Sequence, residues 1–73
     1  MKRSKIELPP LEELGREVQD LIESTGQGLL ISLQQLGEKY QRTPNCIRQY
    51  WNAYADYHKL EYDKNTNKIV NYG

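Results

Sequence analysis

The sequence is 73 residues long, with 37% hydrophobic and 27% charged residues, which is the balance of one small globular domain rather than a disordered chain. Ten basic and ten acidic side chains give a net charge of zero, so the total charge offers no argument for a polyanionic partner. No apolar run approaches the length needed to span a bilayer, and the single cysteine excludes an internal disulfide.

The charges are nevertheless segregated along the chain. Residues 9–38 hold one basic and six acidic side chains, whereas residues 39–73 hold six basic and three acidic ones. We expect residues 1–8 to form a basic N-terminal arm and residues 9–73 to form the domain. Such segregation can direct one basic face at a polyanion while the acidic residues face elsewhere.

The first predicted element is an amphipathic helix. Apolar residues recur at spacings of three and four between Leu11 and Ile22, after a proline pair that suits a helix start. Gly26 follows and is typical of a helix end. We therefore expect a helix over roughly residues 10–24.

A short strand and a second helix are predicted next. The apolar run at residues 28–31 is too short for a helix of its own and predicts a brief buried strand. Ser32 and Gln35 have the spacing of a capping box, which predicts that the second helix begins at Ser32. Gly37 costs that helix about 1 kcal/mol in propensity, so we expect another helix to cross closely there.

The third predicted helix carries two different faces. Thr43 suits the N-cap position and Pro44 the first helical position, so the helix begins there after a tight turn. The apolar face is predicted to contain Ile47, Tyr50, Trp51 and Tyr54, with Tyr57 as a further candidate. The opposite face contains Asn45, Arg48, Gln49, Asn52 and Asp56. Exposed helix surfaces usually favour Glu and Lys, so a face rich in amides is unusual.

The C-terminal segment changes to a period of two. Leu60 and Tyr62 alternate with charged neighbours, the sequence DKNTN supplies turn-forming residues, and an apolar stretch returns at Ile69. This pattern predicts a β-hairpin. The expected fold is therefore α+β and mainly helical, with three helices, a C-terminal hairpin and a short strand before the second helix.

The chain resembles a winged helix-turn-helix domain, particularly the GntR type. The stretch LQQLGEKYQRTPNCIRQYWNAY is similar to the two-helix unit of that family, and LEYDKNTNKIV is similar to its wing. Leu36 and Gly37 match an apolar and small pair, and Ile47 fills the apolar position four residues after the Thr43 cap. The turn departs from the pattern, because Gln41 replaces the usual glycine and Arg42 replaces an apolar residue. Gln41 would then need a positive φ or another turn form.

The resemblance implies binding of double-stranded DNA, with the third helix in the major groove and the wing on the backbone or minor groove. The implied base contacts are Asn45, Arg48, Gln49 and Asn52, which agrees with the pairing of Arg with guanine and of amides with adenine. The expected backbone contacts are Lys39, Arg42, Thr43, Lys64, Asn65, Asn67 and Lys68. Contacts between the N-terminal arm and DNA are expected from Lys2, Arg3 and Lys5.

With few basic contacts, one copy should bind DNA weakly, so a homodimer or tandem binding is expected. A small transcriptional regulator and a plasmid or phage accessory factor for transfer, replication or excision are equally compatible. We expect a cytoplasmic, nucleoid-associated protein with no enzymatic activity, metal, cofactor or small-molecule effector.

Two other functions compete with duplex binding. Some winged helices bind only proteins, and a net charge of zero favours such an adaptor. A single-strand binder would instead stack bases on exposed tyrosines. The amide face of the third helix can also be an ordinary solvated surface, and the hairpin lysines can simply protect an edge strand.

Overall fold

Three helices followed by a two-stranded antiparallel hairpin form a small, mainly helical α+β domain across residues 7–73, which the computed structural model describes. The elements are α1 (Leu11–Thr25), α2 (Leu29–Tyr40), α3 (Pro44–His58), β1 (Leu60–Asp63) and β2 (Lys68–Asn71). The proposed arm contacts Lys2, Arg3 and Lys5 lie outside the described residues.

The first helix confirms the sequence prediction to within one residue at each end. Pro10 occupies the N-cap position, where its missing N–H is no loss because the first N–H groups of a helix have no intrahelical acceptor. At the other end Gly26 adopts a left-handed conformation with φ 74°, and its N–H donates to the Ile22 carbonyl at 2.9 Å.

The predicted strand before α2 is wrong. Within the described residues the segment 28–31 contains no strand, because Gly28 is the N-cap of α2 and the helix begins at Leu29. Leu30 and Ile31 are 64% and 48% exposed, so the segment is not buried either. A short apolar run does not distinguish a strand from the first turn of a helix, and here the helix continues directly from the run.

The predicted capping box is wrong as well. Ser32 lies one turn inside α2, fully buried, and its Oγ donates to the Gly28 carbonyl at 3.1 Å. This bond to the carbonyl four residues earlier satisfies the hydroxyl within the helix. Leu29, Leu33 and Leu36 follow helical spacing and explain why α2 begins a turn earlier than its cap-like sequence suggests.

One apolar core joins the three helices. Its most buried members are Leu14, Val18 and Ile22 of α1, Leu33 and Leu36 of α2, and Ile47, Trp51, Tyr54 and Ala55 of α3. The α1–α3 crossing is close because Gly15 leaves room for the ring of Tyr54. A Cβ on Gly15 would lie 2.0 Å from Cγ of that ring. The close helix crossing expected at Gly37 therefore occurs at Gly15.

Gly37 instead accommodates the turn between α2 and α3. A Cβ there would lie 2.7 Å from the Arg42 carbonyl oxygen. The turn is tight because Gln41 takes a left-handed conformation, with φ 57° and ψ 47°, as one of the two forms expected for it. The Arg42 N–H then donates back to the Gly37 carbonyl at 2.7 Å.

The hairpin pairs Leu60 with Asn71 and Tyr62 with Ile69, confirming the predicted pairing of the two segments. Its half-buried residues Leu60, Tyr62 and Ile69 pack against the helical core. The base of the hairpin is fixed to the end of α3, since the Tyr72 N–H donates to the Lys59 carbonyl at 2.9 Å. Lys59 itself has a left-handed conformation that ends α3.

Gly37→Ala is expected to lower the free energy of unfolding by about 1–2 kcal/mol, because overpacking against a backbone carbonyl exceeds the gain of about 1 kcal/mol in helix propensity. Urea denaturation measures the change. Gln34→Ala, on the exposed side of the same helix, is the control and should match or slightly exceed wild-type stability. Equal or higher stability of Gly37→Ala would contradict a close approach of the turn.

Candidate nucleic-acid interface

The N-terminus of α3 is fixed by the cap that the sequence predicted. The Thr43 hydroxyl accepts a hydrogen bond from the Cys46 N–H at 3.3 Å, and Pro44 occupies the first helical position. Ile47 is fully buried one turn later, so the helix is oriented by its cap and by the core together. The Cys46 side chain is half-buried.

The outer face of α3 presents the four predicted base-contacting residues together. Asn45, Arg48, Gln49 and Asn52 are all exposed, and their spacing of three, four and seven residues aligns them along one side of the helix. None of the hydrogen bonds or ion pairs within residues 7–73 involves their side chains. These four residues form a polar stripe on α3, and this stripe is therefore available to an external partner.

The inner face of α3 differs from the prediction at its C-terminal end. Trp51 and Tyr54 are buried, with ring centroids 5.8 Å apart, and Tyr50 is half-buried. Tyr57, the further candidate, is instead 74% exposed and packs edge-on against His58 at 5.1 Å. His58, one position later, faces α1, and because adjacent residues of a helix point about 100° apart, the Tyr57 ring lies beside the core rather than within it.

Lys39, a predicted backbone contact, is engaged within the protein. Its Nζ lies 2.8 Å from the Glu17 carboxylate on α1 and 5.2 Å from the centroid of the Tyr40 ring. The Tyr40 hydroxyl donates to the other oxygen of Glu17 at 2.6 Å. This cluster of Glu17, Lys39 and Tyr40 connects the end of α2 to the middle of α1.

The cluster changes the proton affinity of each member. Partial burial acts to raise the pKa of Glu17, but the hydrogen bonds from Lys39 and Tyr40 outweigh it, together with the lysine charge, and the pKa is lowered. The hydrogen bond to Glu17 and its negative charge raise the pKa of Lys39. Burial, followed by the hydrogen bond to Glu17, raises the pKa of Tyr40.

Arg42, another expected backbone contact, is half-buried within the turn. Its Nη1 donates to the Tyr40 carbonyl at 3.3 Å, so the guanidinium satisfies one of the last carbonyls of α2. The arginine therefore closes the turn in place of the apolar residue that the family resemblance implied there.

The hairpin residues divide into two groups. Lys64 and Lys68 are exposed, and the Asn65 N–H donates to the Asp63 carboxylate at 3.0 Å to form the turn. Asn67 is structural, because its side chain accepts from the Tyr62 hydroxyl and donates to the Gly26 carbonyl at 3.3 Å. That second bond, the Asn67 tether, attaches the hairpin tip to the end of α1. Asparagine also tolerates the φ of 57° at this position.

Sequence reasoning missed the contacts between distant helices. The His58 Nε2 at the end of α3 lies 2.8 Å from the Glu12 carboxylate on α1. The His58 ring also packs against Tyr54, with centroids 4.4 Å apart. Neither this pair nor the Glu17–Lys39 pair has a sequence signal, because their members are 46 and 22 positions apart.

A scan against protein-family models, a search of curated proteins and a search of solved structures each find no match to this chain. Among residues 7–73, no helix combines the length and apolar character needed to cross a membrane.

Glu17→Gln tests the cluster through its pH dependence. Because the folded state lowers the pKa of Glu17 below its ordinary 4.5, its stabilising contribution is present above that value and is lost as pH falls through the folded-state pKa. Wild type should therefore be more stable than the variant at pH 7, by less than about 1 kcal/mol for a partly exposed pair, and the difference should shrink towards pH 3.

Urea denaturation at a series of pH values gives this difference directly. Glu13→Gln is the matched control, since Glu13 is an exposed acid on the same helix with no hydrogen bond within the described residues. A Glu17→Gln variant that tracks wild type as closely as the control does would show that the cluster adds nothing.

Asn67→Gly should release the hairpin tip, because glycine keeps the left-handed backbone but removes both side-chain hydrogen bonds. The expected loss is about 1 kcal/mol of stability, with faster amide hydrogen exchange in β2. Asn65→Gly makes the same chemical change in the same turn without removing a side-chain hydrogen bond. Equal exchange rates in the two variants would contradict the tether.

Proposed function

We propose that this chain is a winged helix-turn-helix domain that binds double-stranded DNA with sequence preference. In this proposal α3 enters the major groove, and the hairpin acts as the wing on the backbone or minor groove. In this proposal the protein acts as a small transcriptional regulator or as a plasmid or phage accessory factor for transfer, replication or excision.

The arrangement of α2, α3 and the hairpin supports the proposed fold identity. Only residues 41–43 separate the two helices, and Gly37 lies against the turn backbone. The hairpin follows α3 immediately and packs against α1 through β2. Its tip is attached to Gly26 in the connection between α1 and α2, where a winged helix carries its additional short strand. Here one asparagine side chain makes the connection.

The observation that carries the functional proposal is the exposed stripe of Asn45, Arg48, Gln49 and Asn52. A helix presenting this stripe offers donors and acceptors that match base edges in the major groove, which is wide enough to admit a helix. A solvated surface without a partner gains more from Glu and Lys, which favour the helix more strongly. The first acid on this face of α3 is Asp56, one turn beyond the stripe.

The proposed backbone contacts differ in how available they are. Lys64 and Lys68 are exposed at the hairpin, and Thr43 keeps its hydroxyl proton for a phosphate oxygen while its oxygen caps α3. Lys39 and Asn67 have internal partners that a phosphate would have to replace. Few free cations therefore contribute, and this favours a homodimer or tandem copies on the DNA.

Fluorescence polarization with a mixed-sequence duplex at several salt concentrations tests DNA binding. Affinity should fall as salt rises, because binding displaces counterions from phosphates. Arg48→Ala should weaken binding about 5-fold or more, as expected for the loss of a base-contacting arginine. Lys68→Ala should weaken it less and reduce the slope of log affinity against log salt by about 1.

Arg16→Ala is the matched control, because Arg16 is an exposed arginine on the acidic helix α1 and should be dispensable. Absence of duplex binding at low salt, or equal affinity of Arg48→Ala and wild type, would contradict the proposal and favour a protein–protein adaptor. A preference for single-stranded DNA would favour base stacking on exposed tyrosines instead.

A further inference from the structure

The composition of the stripe on α3 points to one class of DNA site. Three of its side chains are primary amides and one is a guanidinium, with no lysine or acid among them. An amide pairs bidentately with adenine N6 and N7, whereas arginine pairs with guanine O6 and N7. We propose that the protein selects an A·T-rich core containing a single G·C pair. This inference rests on the DNA binding proposed above.

The spacing along the helix predicts the order of base pairs in that core. Asn45 and Asn52 lie about 10.5 Å apart along the helix axis, at about 1.5 Å per residue. That length equals about three base-pair steps of about 3.4 Å. Arg48 and Gln49 lie midway between them. The expected core is therefore about four base pairs, with A·T pairs at both ends and, at the two middle positions, the single G·C pair for Arg48 and a third A·T pair for Gln49.

The amides of the stripe have no hydrogen-bond partner within residues 7–73, and this supports a recognition role. Several amides elsewhere are committed to the fold: Gln27 and Gln35 bond each other at 2.9 Å, and Asn71 donates to the His58 carbonyl at 3.3 Å. Asn67 is committed to the hairpin tip. Both the donor and the acceptor of each amide on the stripe remain available, which bidentate pairing with adenine requires.

An A·T preference has a second possible source, which is the narrow minor groove of A-tracts. Inosine separates the two sources. It presents the guanine N7 and O6 acceptors in the major groove but lacks the guanine amino group in the minor groove. An I·C pair therefore resembles G·C from the major groove and A·T from the minor groove.

The first experiment selects duplexes from a randomised library with the full chain and sequences the bound fraction. The expected result is a core of about four base pairs, rich in A·T, with one G·C pair. Arg48→Gln should convert the preference at the G·C position to A·T, because an amide replaces the guanidinium. Gln34→Ala removes an exposed amide from α2 and should leave the selected core unchanged.

The second experiment measures affinity for the selected duplex with I·C pairs introduced singly. Replacing an A·T pair at either end of the core should weaken binding roughly 5- to 150-fold, because the adenine N6 donor is lost. Replacing the central G·C pair should leave affinity unchanged, because Arg48 still finds both of its acceptors.

Each outcome distinguishes the inference from the function on which it rests. Unchanged affinity after end-pair replacement, a G·C-rich core or binding without base preference overturns the inference while DNA binding stands. Failure to bind any duplex overturns the proposed function and the inference with it.

Discussion

The position of α3 depends on the close approach between Gly37 and the backbone of the turn that follows it. The Arg42 carbonyl oxygen lies where a side chain on Gly37 would begin. The left-handed conformation of Gln41 and the hydrogen bond from the Arg42 N–H to the Gly37 carbonyl hold the turn in that position. Because this turn and the buried Ile47 and Trp51 fix α3, the polar side of the helix faces away from the core.

Several polar side chains of this small domain link elements that are distant in the sequence. Tyrosine hydroxyls link distant elements, from Tyr40 to Glu17 and from Tyr54 to Gln19 at 3.5 Å, while their rings fill the core. A domain of this size has little apolar area to bury, so such links add stability that the core alone does not supply. The stripe on α3 takes no part in them.

Sequence periodicity predicted the helices, the Thr43 cap and the hairpin because these features depend on neighbouring residues. It failed at residues 28–31, where an apolar run fits a strand and a first helical turn equally well. It also missed the Gly15–Tyr54 crossing and the pairing of Glu17 with Lys39, because such contacts depend on how helices pack. The outward direction of the stripe on α3 was predictable from helical spacing, whereas the engagement of Lys39 was not.

The Asn67 tether has a consequence for how the chain tolerates changes in length. The hairpin is held at its base beside Lys59 and at its tip beside Gly26, so its two ends are anchored to different helices. Extra residues inserted between Lys64 and Thr66 would enlarge the loop without moving either anchor. An insertion after Asn67 would shift β2 by one position and turn Ile69 from the core to the solvent. Variation in hairpin length is therefore confined to the three residues that precede the tether.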